Sequence, residues 1–256
     1  MDTYDLDIHF NRDGWQRVIE TQSKLFNIEA LVALSDRLRQ EFHCGHAEGR
    51  RMPEIERADW KSDLLTQYND REIGYDLPCL LSAGRPTRGR IMLCAQDPLR
   101  SGSAPSLTVG TFFGIDNSGY RRSQKHYGAI WNLVRTCVAA GYDVWVTDAL
   151  KIFAGKHQLK KNTELEKLCF EILKDEIKAF APDKILAMGS TAGAALSRSG
   201  WQGSFMRSTH PSYYGKKGWY LEGSMGPQEG YLKELERYYC RILFGANSPP
   251  DAGVHA

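Results

Sequence analysis

The sequence predicts an α/β fold, a three-layer α/β/α sandwich around a central, largely parallel sheet, with additional N-terminal helices. Three observations predict it. The short apolar runs Ile91-Met92-Leu93-Cys94-Ala95, Val144-Trp145-Val146 and Ile185-Leu186-Ala187-Met188 have the length and composition of buried strands. Helical patterns lie between them, through Ile130, Leu133, Val134, Cys137 and Val138 and again over 164–180. Strands alternating with helices imply a parallel sheet covered on both faces, and 256 residues suffice for one sizeable domain.

The composition, 42% hydrophobic and 25% charged with a net charge of +2, is that of an ordinary globular chain. It does not announce nucleic-acid binding, so any basic surface must be local. Six cysteines are scattered without a Cys-x-x-Cys pair, several in apolar runs, and are expected as buried thiols in a reducing compartment. The start, Met1-Asp2-Thr3-Tyr4-Asp5, lacks the basic and apolar regions of a secretory leader. No apolar run approaches membrane-spanning length. A cytoplasmic monomer without membrane partners is expected.

Along the chain, Trp15, Val18, Ile19, Leu25, Phe26, Leu31, Leu34 and Leu38 recur at helical spacing over 14–42, with Ser35 and Asp36 placed to interrupt or cap. A helical pair is expected there. His43-Cys44-Gly45-His46 contains metal-binding residue types without a second ligand pair, so a helix-ending loop and no metal are expected. Residues 47–87 are charged and irregular, with a short helix through Trp60, Leu64, Leu65 and Tyr68. The Gly84-Arg85-Pro86-Thr87-Arg88-Gly89 punctuation then opens the core. This divides the chain into an N-terminal helical extension packed on the core (1–87), an α/β domain (88–245) and a disordered tail (246–256).

Within the domain, the first strand stops at Gln96-Asp97-Pro98. Pro98 biases Asp97 towards an extended backbone and places its carboxylate at the strand's carboxyl end, where open α/β sheets bind ligands. A loop over 101–106 follows, then a helix ending at Gly141, the strand at 144–146 and a basic loop with Lys151, Lys156, His157, Lys160 and Lys161. Beyond the helix at 164–180 and the strand at 184–188 come a small-residue helix over 192–196 and a last helix through Tyr231, Leu232, Leu235 and Tyr238.

Five stretches in order resemble motifs of the uracil-DNA glycosylase superfamily. Ala95-Gln96-Asp97-Pro98 resembles the motif Gly-Gln-Asp-Pro-Tyr-His, and His210-Pro211-Ser212 resembles the later His-Pro-Ser motif. Gly110-Thr111-Phe112-Phe113-Gly114 resembles the glycine-flanked phenylalanine that stacks the target base. Val144-Trp145-Val146-Thr147-Asp148 is similar to the strand ending in the base-reading residue, and 181–189 to the strand before a small-residue helix. The likeness covers roughly 88–245 and implies a monofunctional DNA glycosylase that flips a pyrimidine out of DNA and leaves an abasic site.

Breaking an N-glycosidic bond builds positive charge on the sugar and negative charge on the base. The resemblance gives Asp97 the first charge to stabilise, by steadying the sugar cation or orienting water, and His210 the second, as a donor to pyrimidine O2. Gln96, Phe112 or Phe113, Asp148 and Leu99 would bind the base. Tyr213 and Tyr214 lie where relatives insert a side chain into the vacated stack, and Ser212, Lys156, Lys160, Lys161, Arg207, Lys216 and Lys217 are candidates for the DNA strand. Some members carry a four-cysteine iron–sulfur cluster, but Ile152 and Phe153 follow Lys151 without a ligand cysteine. No cofactor is expected.

Two departures narrow the substrate. Leu99 stands where a tyrosine closes the pocket against groups on pyrimidine C5, leaving space for a substituent. Asp148 stands where uracil readers carry asparagine. An ionised aspartate offers acceptors only and mismatches uracil O4, whereas it accepts from cytosine N4, and its protonated form also donates to N3. Unmodified cytosine as substrate would damage the enzyme's own genome. The expected target is therefore a 5-modified cytosine, hydroxymethylated or glucosylated as in phage DNA, excised in antiviral defence. The alternatives are a uracil-DNA glycosylase of base excision repair, a catalytically silent DNA-binding member of the fold, and a nucleotide-binding α/β protein suggested by Gly189-Ser190-Thr191-Ala192-Gly193 before a helix.

Overall fold

The computed structural model of the chain describes residues 8–46, 51–83, 86–100, 102, 105–123, 125–155, 158–159, 163–212 and 229–245. The expected tail, 246–256, lies outside them. In chain order the named elements are β1 (His9–Phe10), α1 (Arg12–Ile19), α2 (Ile28–Cys44), β2 (Ile73–Leu77), β3 (Cys79–Ser82), β4 (Gly89–Ala95), β5 (Leu107–Thr111), α3 (Ser118–Arg121), α4 (His126–Ala139), β6 (Tyr142–Asp148), β7 (Ile152–Phe153), α5 (Thr163–Phe180), β8 (Lys184–Met188), α6 (Ser190–Arg198), β9 (Met206–Ser208) and α7 (Glu229–Phe244).

The central sheet has the order β1-β3-β6-β4-β8-β9. Its β6-β4-β8-β9 portion is parallel, and β3 and β1 add antiparallel at one side. Side-chain alternation splits the core in two. Ile91, Leu93, Val144, Val146, Leu186 and Met188 face α4 and α7, while Met92, Cys94, Trp145, Ile185 and Ala187 face α1, α5 and α6. These are the layers of an α/β sandwich, since a sheet buried on both faces needs helices over each. A second sheet, β5-β2-β7, pairs β2 parallel with β5 and antiparallel with β7.

The N-terminal helical pair is present, but the chain breaks earlier than Ser35-Asp36. Helix α1 closes at Ile19, a short 3-10 turn spans Glu20–Lys24, and α2 runs through Ser35. Ser35 is small enough to be buried on the stripe of Leu31, Leu38 and Phe42, so it continues the helix. Residues 1–87, expected as a helical extension, also supply β1 and β3 to the central sheet and β2 to the second. Gly74, Asp76 and Pro78 interrupt this apolar run and hide its strand character; Pro78 falls where the chain passes from one sheet to the other, and its carbonyl accepts from Trp15 Nε1 at 2.7 Å. The short helix expected near Trp60 is a 3-10 turn over Asp63–Tyr68. All six cysteines are free thiols, and Cys44 alone of them is exposed. Among the described residues no helix is long and apolar enough to cross a membrane.

From β4 the chain crosses through α4 to β6 on one side, then through α5 to β8 on the other side of β4. Such a reversal opens a crevice beyond the carboxyl ends of the strands. Asp97, Asp148 and His210 follow or end β4, β6 and β9 at that rim.

Candidate active site

Asp97 leaves β4 between two neighbours. The backbone N–H of Leu150 donates to the Gln96 carbonyl at 2.9 Å, fastening one side to the end of β6. On the other side the Pro98 carbonyl crosses β2 so closely that a Cβ on Gly74 would lie 2.4 Å from it. Arg100 completes the anchor, with Nε donating to Thr108 Oγ1 at 3.0 Å, Nη1 to the Pro98 and Leu99 carbonyls at 3.2 Å, and Nη2 to the Tyr75 carbonyl at 2.9 Å and Asp76 Oδ1 at 2.7 Å. Gln96 Nε2 donates to Asp97 Oδ2 at 2.8 Å. Burial pushes the Asp97 carboxyl above its usual range, and that hydrogen bond pulls it partly back.

Asp148 ends β6 in register with Ala95 and is 5% exposed. Among the described residues no hydrogen-bond donor reaches its carboxylate. Burial, followed by repulsion from Asp76 and Asp97, raises it well above the usual carboxylate range, with Lys151 and Arg100 opposing. Burial in a low-dielectric site disfavours the charged form, so the balance shifts towards the neutral acid. Asp76 was not singled out in the sequence because it reads as an interruption of an apolar run. It brings a third carboxylate to this side of the site, and burial raises it too, with Arg100 opposing.

His210 follows β9 on a segment tied at several points. Gly189 donates its N–H to the Ser208 carbonyl at 2.8 Å, Tyr238 Oη accepts from Thr209 N–H at 3.2 Å, and Tyr239 Oη donates to the Thr209 carbonyl at 2.9 Å. Gly189, at φ 95°, meets the histidine closely, since its Cβ would lie 3.0 Å from that of His210. Ser212 donates its backbone N–H to His210 Nδ1 at 3.3 Å, and its hydroxyl lies 2.8 Å from the same nitrogen. A nitrogen that accepts from a backbone N–H carries no proton, so the neutral ring holds its proton on Nε2. Burial, helped by His126, lowers the His210 pKa to about 4.

The two phenylalanines separate. Phe112 is buried in the core beneath α4, whereas Phe113 is half-buried, with its ring centroid 5.8 Å from His210 and 4.8 Å from Phe112. Phe113 also sits at φ 51°, a left-handed conformation that costs a bulky residue energy and clusters at functional sites. Leu99 is 71% exposed and stands at the surface. Arg207 is engaged with α6 and with the residue before its own strand, donating to Ser197 Oγ at 3.0 Å and lying 4.9 Å over the Phe205 ring. Ser212, expected as a DNA contact, holds His210. Lys156, Lys160, Lys161, Tyr213, Tyr214, Lys216 and Lys217 lie outside the described residues.

Lys151, read as part of a basic loop, is buried. Its ammonium pairs with the buried Glu176 and donates to Thr147 Oγ1 at 2.7 Å, while Gln22 Nε2 donates to Glu176 Oε1 at 2.8 Å. This network joins the N-terminal segment and α5 to the end of β6 that carries Asp148. His46 Nε2 lies 2.9 Å from Asp116 Oδ2 and 3.6 Å from Glu41 Oε2, the cluster of metal-ligating type among the described residues. It ties the end of α2 to the loop holding Phe113, and Arg37 also pairs with Glu41 at 3.2 Å.

The structure therefore groups Gln96, Asp97 and Asp148 with Asp76, and groups Phe113 with His210 and Ser212. Thr111 and Gly110 of β5, opposite Leu77 and Asp76 of β2, connect the two groups through the backbone. No protein-family model matches this chain, and no curated protein matches it.

Proposed function

We propose that the chain is a monofunctional DNA glycosylase that flips a 5-modified cytosine out of DNA and hydrolyses its N-glycosidic bond, with DNA as its partner. The observation that carries this reading is Asp148, a buried carboxyl that no hydrogen-bond donor among the described residues reaches, beside Asp97 at the carboxyl ends of adjacent strands. Asp97 accounts for the sugar side of the reaction: a carboxylate stabilises oxocarbenium-like charge and orients water on the open face. His210 accounts for the base side, with a neutral Nε2–H directed at developing charge on O2; one preorganised donor of this kind is worth about 3 to 4 kcal/mol. Phe113 supplies the stacking face.

Asp148 supports cytosine by its protonation. A carboxylic acid accepts from N4 and donates to N3. As the bond breaks, the electron pair moves into the base and the Asp148 proton passes to N3, so cytosine leaves uncharged and the carboxylate is reprotonated from solvent. Uracil N3 already bears hydrogen and gains nothing from such a transfer. A protonated Asp148 also presents one donor and one acceptor to uracil, which supports excision of uracil in repair as the second reading. Tolerance of unmodified cytosine would destroy the host genome, so the cytosine reading requires a substituent, as found in modified phage DNA, and places the enzyme in antiviral defence.

Single-turnover base release from matched oligonucleotides carrying uracil, cytosine, 5-hydroxymethylcytosine or its glucosylated form, with alkaline cleavage of abasic sites, tests the proposal. Release confined to a modified cytosine is expected. Release of uracil alone overturns it in favour of repair, and release of nothing from any substrate favours a silent DNA-binding protein.

A further inference from the structure

We infer that Glu41, His46 and Asp116 form a binding site for one divalent transition-metal cation of the zinc type, which fastens the end of α2 to the turn that follows Phe113. Among the described residues these three bring ligand atoms of metal-binding type within 4.8 Å of one another. His46 Nε2 lies 2.9 Å from Asp116 Oδ2 and 3.6 Å from Glu41 Oε2. Ligand atoms held at about 2 Å from a shared zinc ion stand about 3 to 3.5 Å apart, so the spacing fits such an ion.

The observation that points to a ligand is His46 Nε2 itself. The atom is buried and has no hydrogen-bond partner among the described residues, although a carboxylate oxygen stands 2.9 Å away. An imidazolium paired with Asp116 would direct its N–H along the line to that oxygen, and the ring is not turned to do so. Without a proton there, a nitrogen lone pair faces two carboxylate oxygens, an arrangement that a cation among the three atoms relieves.

The surroundings hold the ligands ready. Gly45 closes α2 at φ 85°, a left-handed turn that favours glycine, and brings His46 back beside Glu41 of the last helical turn. Arg37 Nε donates to Glu41 Oε1 at 3.2 Å. The Thr111 hydroxyl donates to Asp116 Oδ1 and accepts from the Asp116 N–H at 3.2 Å. Outer bonds of this kind orient the carboxylates that bind metals. Arg121 joins the same two segments, donating to the Ile115 carbonyl at 2.7 Å and the Phe42 carbonyl at 3.1 Å. The side chains of Glu41, His46 and Asp116 are 14%, 17% and 5% exposed, which separates them from a solvated acidic surface. The imidazole selects zinc-type ions over magnesium and calcium, which take oxygen ligands, and three protein ligands leave a fourth position for water. His43-Cys44-Gly45-His46 has no second ligand pair in the sequence; the fold supplies Glu41 and Asp116 in its place.

The test is titration of the full-length, chelator-treated protein with zinc, read by calorimetry and melting temperature, with cobalt(II) as a spectroscopic probe. One zinc per chain is expected, with a dissociation constant of about 1 μM or tighter. Zinc should raise the melting temperature, and equal magnesium or calcium should not. His46→Ala should weaken zinc binding at least about 100-fold, and Thr111→Val, which removes only an outer bond, about 10-fold. Cys44→Ser should leave binding unchanged, and the cobalt spectrum should lack the near-ultraviolet band of a thiolate ligand. Circular dichroism establishes folding, and the wild-type cobalt spectrum and magnesium comparison carry the test if His46→Ala unfolds. No stoichiometric zinc binding would leave an ordinary ion pair of His46 with Asp116 and overturn the inference. Binding that His46→Ala leaves unaltered, or that follows Cys44, overturns it too.

Discussion

The backbone N–H of Ser212 donates to Nδ1 of His210 at 3.3 Å and so leaves the ring's proton on Nε2. Two residues of one loop thereby settle which nitrogen can donate. Burial keeps the ring neutral, with a pKa lowered to about 4. The expected pH–rate profile accordingly has no inflection near 6.5 from His210; its acid limb lies near 4. Stability follows the same sign, since an unfolded histidine takes its proton near 6.5 and the folded one near 4. Burying the ring therefore carries no protonation penalty above pH 6.5 and a growing one as the pH falls towards 4, so wild type should lose stability relative to His210→Ala over that range. Melting of wild type and His210→Ala between pH 3.5 and 8 checks this, and a rate inflection at 6.5 that vanishes in the variant would contradict it.

His210→Ala is expected to lower single-turnover base release by roughly 100- to 1,000-fold, the loss measured for removal of one preorganised donor. Asp97→Asn, which keeps the Gln96 contact geometry while removing charge, should lower it at least as much. Both should melt near the wild-type temperature, Asp97 because its raised carboxyl gains nothing from ionisation in the fold. Unaltered release in both variants would remove the assigned mechanism.

Asp148→Asn exchanges a buried acid for a neutral amide of the same shape. Its folded pKa lies well above the usual carboxylate range, so its burial is cheapest at low pH and costs more as the pH rises from about 4 through the folded value. The variant is expected to melt higher than wild type at pH 7 and above, with the difference vanishing near pH 4. Its release of modified cytosine should fall by at least about ten-fold, with uracil release gained, because the amide matches uracil O4 and N3–H. Retained cytosine release in a well-folded variant would show that Asp148 does not read the base.

The two phenylalanines should respond oppositely. Phe112→Ala opens a core cavity beneath α4 and is expected to cost about 3 to 5 kcal/mol of stability. Phe113→Ala removes a half-exposed ring at φ 51° and should leave the melting temperature nearly unchanged while weakening binding of the flipped base by about 1 to 3 kcal/mol. Denaturant melts paired with binding measurements separate the two.

Lys151 and Glu176 are a fully buried ion pair. Lys151→Met leaves Glu176 charged or forces it to take a proton, at a cost of about 3 to 5 kcal/mol, whereas the double change Lys151→Met, Glu176→Leu should recover most of that loss. Urea midpoints of the single and double variants decide it.

The alternation of strands and helices, the ends of β4 and β6, and Asp97 and His210 as candidates for the chemistry are legible in the order of residues. Those features are local. An apolar run that stops at Asp-Pro, or a helix that stops at Gly141, is set by neighbouring residues and legible in them. Tertiary structure alone decided the rest. Asp76 is separated from Asp97 by 20 residues and hidden in an apolar stretch broken by Gly74 and Pro78, so only the pairing of β2 with β5 and the reach of Arg100 bring it to the site. Lys151 reads as one more cation of a basic loop until Glu176, 25 positions on, meets it in the core. Phe112 and Phe113 are indistinguishable as letters; a single residue of backbone, turned left-handed, sends one ring into the core and the other towards His210. Strand and helix patterns follow from short-range sterics and solvation, whereas convergence of side chains follows from long-range packing, which the order of residues along the chain does not record.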